Sequence, residues 1–318
     1  MTAATNPQER ELMARHRPER AICDKDGARA PPGSRAPPVC PGGAPPSARP
    51  ATTALGRRRW CCTTKAHPLP RSCRMTRRLQ ERLLAIMDRK NHWAWAHLTG
   101  PGLTRDQLAV HFRHEYRVYV RDFPVLLARV LGQSPPAAVR SALAENLFEE
   151  QTGKLSLGVS HPELFLEMID GLGIPRAAIE DESLPLEPEA HAYRTLLDRA
   201  SAAPPWVVGA AVLTIFVEGS VHERAELLGQ REAPPIEEAL RAHPMVRHYG
   251  CPPERMRLAR AHRAVEGGHR RDAWEMVLGH APDEGPTADA VASAVAAAHA
   301  AWLAYRDGVA RAMGLRQA

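Results

Sequence analysis

The chain has 318 residues, a formal net charge of +6 and 25% charged side chains, enough for one or two domains. The charge is uneven: residues 1–74 hold 14 Lys/Arg against 5 Asp/Glu, which leaves 28 basic and 31 acidic residues in 75–318. The basic balance belongs to the first quarter alone, which argues against nucleic acid as a partner of the remainder. The longest apolar run, Trp206 to Val217, is closed by Glu218 and is too short to cross a bilayer, and the N-terminus has no hydrophobic signal core. A soluble, reducing, cytoplasmic setting is expected, without membrane attachment.

In chain order, residues 1–74 come first. They contain 12 of the 29 Pro and five of the six Cys, with no sustained apolar periodicity. Stretches such as Ala30–Pro38 bury too little surface to offset chain entropy, so a disordered, basic Pro/Arg-rich segment is expected. Cys61, Cys62, His67 and Cys73 match no compact zinc spacing. Composition changes abruptly at Met75, which opens a well-patterned helix and offers an alternative start for the native protein. The folded domain is taken as 75–318.

From there the periodicity is helical throughout. Helices are predicted over 76–98, 104–132, 135–152, 162–173, 189–201, 204–229, 235–247, 253–280 and 287–314. Thr104 with Gln107 suits a capping box, and Pro204-Pro205 and Pro252-Pro253 each open a helix. Gly153, Gly171, Gly229 and Gly314 stand where helices should stop. The fold class is all-α: a single bundle of about 240 residues with one sizeable core.

Three places in this bundle carry chemistry. Asn146-Leu-Phe-Glu-Glu150 closes one helix, Gly153 ends it, and His161-Pro-Glu-Leu-Phe165 starts the next, so Glu150 and His161 flank a short loop. Glu218 interrupts an apolar helix, where a carboxylate is costly unless paired or metal-bound. His262, Glu266 and His269 follow at i, i+4 and i+7, within roughly 60° of one another on a helix. Alone, that stripe suits any divalent ion or a solvated face. Together, three carboxylates and three imidazoles suit iron or manganese, with no thiolate to favour zinc. His262 and His269 are about 10 Å apart in helix rise, which fits two ions better than one.

These segments resemble the haem-oxygenase-like diiron oxidases and oxygenases, relatives of haem oxygenase, pyrroloquinoline-quinone synthase and the thiaminase-like TenA proteins. The likeness spans about 76–280 and includes the aromatic helix Glu115-Tyr-Arg-Val-Tyr-Val-Arg-Asp-Phe-Pro124. It implies a haem-oxygenase-like helical bundle. It also implies a first iron held by Glu150, His161 and His262, with Glu218 binding or bridging, and a second held by Glu266 and His269. Glu266 stands where relatives have Asp, and Arg117 and Val118 where they often have Tyr and His. Tyr116 and Tyr119 are candidates for the pocket wall or, equally, core aromatics.

The implied function is that of a non-haem diiron enzyme. Two Fe(II) ions would activate O2 against a small-molecule substrate, an amine or amino-acid-like compound, by N-oxygenation or oxidative C–C cleavage. An external electron donor fits such chemistry. The first alternative is a metal-free enzyme of the same fold, resembling pyrroloquinoline-quinone synthase or TenA-like thiaminase. The second is a non-enzymatic helical binding protein. The Ala-rich stretch 287–303 suits either the core or a homodimer surface. If Met75 is the native start, N-terminal peptide mass spectrometry of the native protein will find no abundant peptides from 1–70.

Overall fold

The computed structural model describes residues 78–231 and 234–317, without the side chains of 265–269. The expectations for 1–74 and for a start at Met75 lie outside the described residues. Among the described residues every regular element is helical. None of their helices is long and apolar enough to cross a membrane.

Helix α1, Arg78–Met87, buries Leu79, Leu83, Leu84, Ile86 and Met87 along one face. The predicted helix 76–98 breaks after it. Asn91 Oδ1 accepts from His92 N at 2.9 Å and His92 Nδ1 accepts from Ala94 N at 3.2 Å. These local side-chain bonds compete with the helical ladder, and α2, Trp95–Thr99, restarts beyond them. Helix α3, Arg105–Glu115, opens on the predicted capping box, in which Thr104 Oγ1 accepts from Gln107 N and Gln107 Oε1 accepts from Thr104 N. It widens into a π-helical segment, Tyr116–Val120, before α4, Phe123–Leu131.

Helix α5 is Ala137–Thr152, α6 His161–Gly171, α7 Ala177–Glu180 and α8 Pro188–Ala202. Gly171 is not the stop of α6; that role falls to Gly173, with φ of 67°. Gly171 is needed for contact, since a Cβ there would lie 2.9 Å from Cys251 Sγ. The predicted helix 204–229 divides into three. Helix α9, Trp206–Ala210, runs into a second π-helical segment, Ala211–Val217, and after a break comes α10, Glu223–Leu227. Helices α11, Ile236–Ala242, and α12, Pro244–Arg247, lead through the 3-10 turn Pro253–Arg255 to the long helices α13, Arg257–His280, and α14, Pro286–Ala312.

Two apolar clusters form the interior. The larger gathers faces of α1, α4, α8, α9, α14 and the end of α13; the smaller joins α3, α6 and residues around Cys251 and Met256. Tyr119, Phe123 and Val217 belong to the first cluster, and Val120 and Leu258 to the edge of the second. All five line one cavity, which therefore lies where the clusters meet. Contacts of α5 with α6, of α6 with α13, and of α13 with the second π-helical segment fix its walls.

A buried ion pair ties α14 to the turn between α3 and the first π-helical segment. Arg306 Nη1 and Nη2 lie 2.5 and 3.1 Å from Glu115 Oε1 and Oε2. Tyr305 Oη donates to Oε1 at 2.6 Å, and Tyr119 Oη donates to Oε2. The guanidinium also stands 4.7 Å from the Trp95 ring centroid and 5.0 Å from that of Tyr305. Burial pushes the Glu115 carboxyl up, but Arg306 and the hydroxyl donors outweigh it and hold it down at about 2.

Removing one partner from a buried pair strands the other charge. Arg306→Met is therefore expected to lower the unfolding free energy by about 3–5 kcal/mol in urea titrations. Because the folded value lies below the 4.5 of an ordinary glutamate, this stabilisation is complete above 4.5 and is lost as pH falls toward 2. Glu115→Gln should flatten that part of the stability–pH curve.

Candidate metal centre

The centre begins with a reversal of the chain. Gly153 adopts φ of 61°, and a Cβ there would lie 1.9 Å from Val159 O, so only glycine allows the loop to close. Gly158 N donates to Gly153 O at 2.7 Å and completes the turn. His161 is thereby set at the first turn of α6, against the last turn of α5.

Glu149, fully buried, fixes the imidazole. Its Oε2 accepts from Leu155 N at 2.7 Å, and its Oε1 accepts from Ser156 Oγ and faces His161 Nε2 at 3.3 Å. Burial opposes its ionisation, but Ser156, Leu155 and His161 outweigh it and hold the carboxyl below its usual range. Glu149 and Glu150 together outweigh burial at His161 and raise its pKa. The other ring nitrogen, Nδ1, is buried and lies 2.8 Å from Glu150 Oε1, an ion-pair distance. That spacing also suits neighbouring ligands of one ion, because metal–ligand distances of about 2.0–2.2 Å put adjacent donor atoms about 3 Å apart.

His262, on α13, supplies the third donor. Its ring centroid is 5.0 Å from that of His161, and one donor atom each of Glu150, His161 and His262 lie within 4.8 Å of one another. The predicted trio is thus brought together. The side chains of Glu266 and His269, predicted for a second ion, lie outside the described residues; their backbone continues α13.

Glu218 follows the second π-helical segment. Its N–H donates to Leu213 O at 3.2 Å, five residues back, and the helix then stops. The carboxylate lines the same cavity as Glu150, His161 and His262, and Asn146 Nδ2 donates to its Oε1 at 2.9 Å. Glu218 has accessible surface, and it is a wall of the cavity lumen. Removal from bulk water and the nearby Glu150 charge push its carboxyl up to about 8. No Lys or Arg among the described residues pairs with it. Two carboxylates facing one cavity repel each other, and a divalent cation between them would reverse that cost. The donor set fits iron or manganese on this ground, apart from the spacing of Glu150, His161 and His262.

The cavity holds about 200 Å³. Val120, Phe123, Val217 and Leu258 form its apolar walls, and Arg270 closes part of the polar side, held by Glu226. Tyr119 lines it; Tyr116 does not, and stacks on Phe165 at 5.7 Å in the smaller core cluster. Glu149 and Asn146 escaped sequence reasoning. The only signal was spacing: Asn146 is one turn before Glu150, on the same helix face.

The all-helical bundle has a haem-oxygenase-like fold. The chain belongs to the family of iron-containing redox enzymes, whose sequence profile matches residues 110–303. Among solved structures it is similar to a TenA homologue from Pseudomonas syringae pv. tomato str. DC3000, with TM-score 0.53 and 13% identity over 73% of this chain and 93% of that one. It is also similar to a domain of unknown function with a haem oxygenase-like fold from Shewanella denitrificans OS217, with TM-score 0.53 and 17% identity over 74% of this chain and 90% of that one. Identities this low establish the shared fold alone. No curated protein matches the sequence.

Carboxylates that orient a ligating histidine typically contribute roughly 10- to 100-fold to metal affinity. Glu149→Gln is expected to weaken Co(II) binding by about that factor, read from visible absorption titrations, with helix content unchanged by circular dichroism.

Proposed function

We propose that this protein is a non-haem diiron enzyme that uses O2 to oxidise a small amine or amino-acid-like substrate. The observation that carries this reading is the convergence of Glu150, His161 and His262 on one point, with Glu218 on the same cavity wall. Glu150, His161 and His262 would hold the first iron and Glu218 would bind or bridge; Glu266 and His269 are assigned to the second. Bound iron supplies one-electron chemistry with O2 that side chains lack.

The remaining work falls to the chain. Glu149 holds His161 in one orientation, and Asn146 holds the Glu218 carboxylate through its Oε1. Val120, Phe123, Val217 and Leu258 receive the carbon skeleton of the substrate and exclude water from the reacting centre. Glu115 accepts the Tyr119 hydroxyl hydrogen bond and keeps that ring in the cavity wall. The carboxylates favour a cationic amine over an anion. Where the substrate does not supply all the electrons, an external donor completes the cycle.

The likeness to a TenA homologue supports a second reading, a metal-free enzyme of the same fold. Iron decides between them. Protein reconstituted anaerobically with Fe(II) should hold two irons per chain and give a transient visible absorption on mixing with O2. Glu150→Ala and His262→Ala should lower the iron content. Iron well below two per chain together with no transient would overturn the diiron reading.

A further inference from the structure

The helix that delivers Glu218 is broken immediately after it, and the break is held from two sides. On one side is Lys90, from the segment between α1 and α2. Its Nζ donates to Phe216 O at 2.5 Å, Val217 O at 3.2 Å and Gly219 O at 2.6 Å. These three carbonyls bracket Glu218, and they match the three N–H donors of one ammonium. The amine stands at the carbonyl end of the helix, where the dipole favours its protonated form, while burial pushes its pKa down to about 7. It also lies 4.8 Å from the Phe216 ring centroid.

On the other side is Glu223, which is buried. Its Oε2 accepts from Ser220 N at 3.3 Å, and its Oε1 accepts from Trp274 Nε1 at 2.8 Å, with Arg270 Nε at 3.6 Å. Trp274 and Arg270 are on α13, the helix that carries His262. Gly219 seals the turn between the two charges: a Cβ there would lie 2.2 Å from Ile215 O and 2.9 Å from Glu223 Oε2. The bend at Glu218 is thus pinned by a cation on its carbonyls and a carboxylate on its amide, and the carboxylate ties the bend to α13.

A half-buried Lys and a buried Glu are expensive ways to fill space, and apolar side chains of similar size would pack at lower cost. Their geometry does something packing cannot: it fixes a helix end that would otherwise continue or fray. We infer that Lys90 and Glu223 are positioning residues of the metal centre, which hold Glu218 on the cavity wall in register with His262. The inference rests on Glu218 being a metal ligand.

The test uses the full chain and Co(II), followed by its visible d–d absorption, with circular dichroism and thermal unfolding alongside. Glu218→Gln, Lys90→Met and Glu223→Gln are compared with the wild type. Loss of positioning should weaken Co(II) binding roughly 10- to 100-fold in both Lys90→Met and Glu223→Gln and change the d–d band shape, with helix content retained. A merely structural role would shift the melting temperature and leave affinity and band shape unchanged; that result would overturn the inference. Should Lys90→Met fail to fold, Glu223→Gln, which keeps size and shape, decides by the same readout. Wild-type binding by Glu218→Gln would instead remove the ligand role of Glu218, and the inference with it.

Discussion

A carboxylate withdrawn from water must be given a positive partner or it takes up a proton. That constraint organises the interior of this bundle. Glu115 is met by Arg306 and two tyrosine hydroxyls, Glu149 by a backbone amide, Ser156 and His161, and Glu223 by Trp274, Ser220 and Arg270. Glu115 and Glu223 join elements far apart in sequence and Glu149 joins two consecutive helices, so charge compensation and tertiary architecture share contacts. Glu218 differs. Its hydrogen bond comes from a neutral amide, and removal from bulk water with the Glu150 charge suppresses its ionisation. Among these acids it is the one whose charge the proposed metal would balance, beside His161 and His262 on the same cavity.

The cavity walls show a second regularity. Both π-helical segments, Tyr116–Val120 and Ala211–Val217, contribute lining residues: Tyr119 and Val120 from one, Thr214 and Val217 from the other. A wide turn gives up ideal hydrogen bonding and shifts the side chains that follow it around the axis. Here the shift carries Glu218 to the end of its helix on the cavity side and leaves Tyr116 and Tyr119 in different surroundings, one in the core and one at the lumen. A regular helix through either segment would change which residues the cavity sees.

Much of this was legible in the sequence, and the parts that were not have a common cause. The apolar periodicity, the Thr104–Gln107 cap and the Gly153 stop are encoded by residues near in sequence, and each is found in the structure. Glu150 and His161 were visible because they flank one short loop, and His262 joined them through the family resemblance. The helix breaks at 88–94 and 218–222 were not, because the second depends on Lys90, which lies over 120 residues from the carbonyls it caps. Glu149 was hidden beside Glu150: the pattern shows two adjacent acids, and only the fold-back of the 153–160 loop decides which one turns to orient the imidazole. Gly171 was read as a stop because local rules assign glycine to turns, whereas its reason is close approach by Cys251 and Arg255.

The hydrogen bond from Tyr119 to Glu115 reaches beyond the anchoring of a ring. It holds the phenol protonated far above neutrality, since burial and the Glu115 anion both drive its pKa well upward. This part of the lumen therefore stays uncharged at neutral pH, whereas Glu150 and Glu218 place carboxyl groups elsewhere on the wall. The cavity thus has one electrically silent wall and one wall on which Glu150, Glu218 and Arg270 bring charges of both signs together.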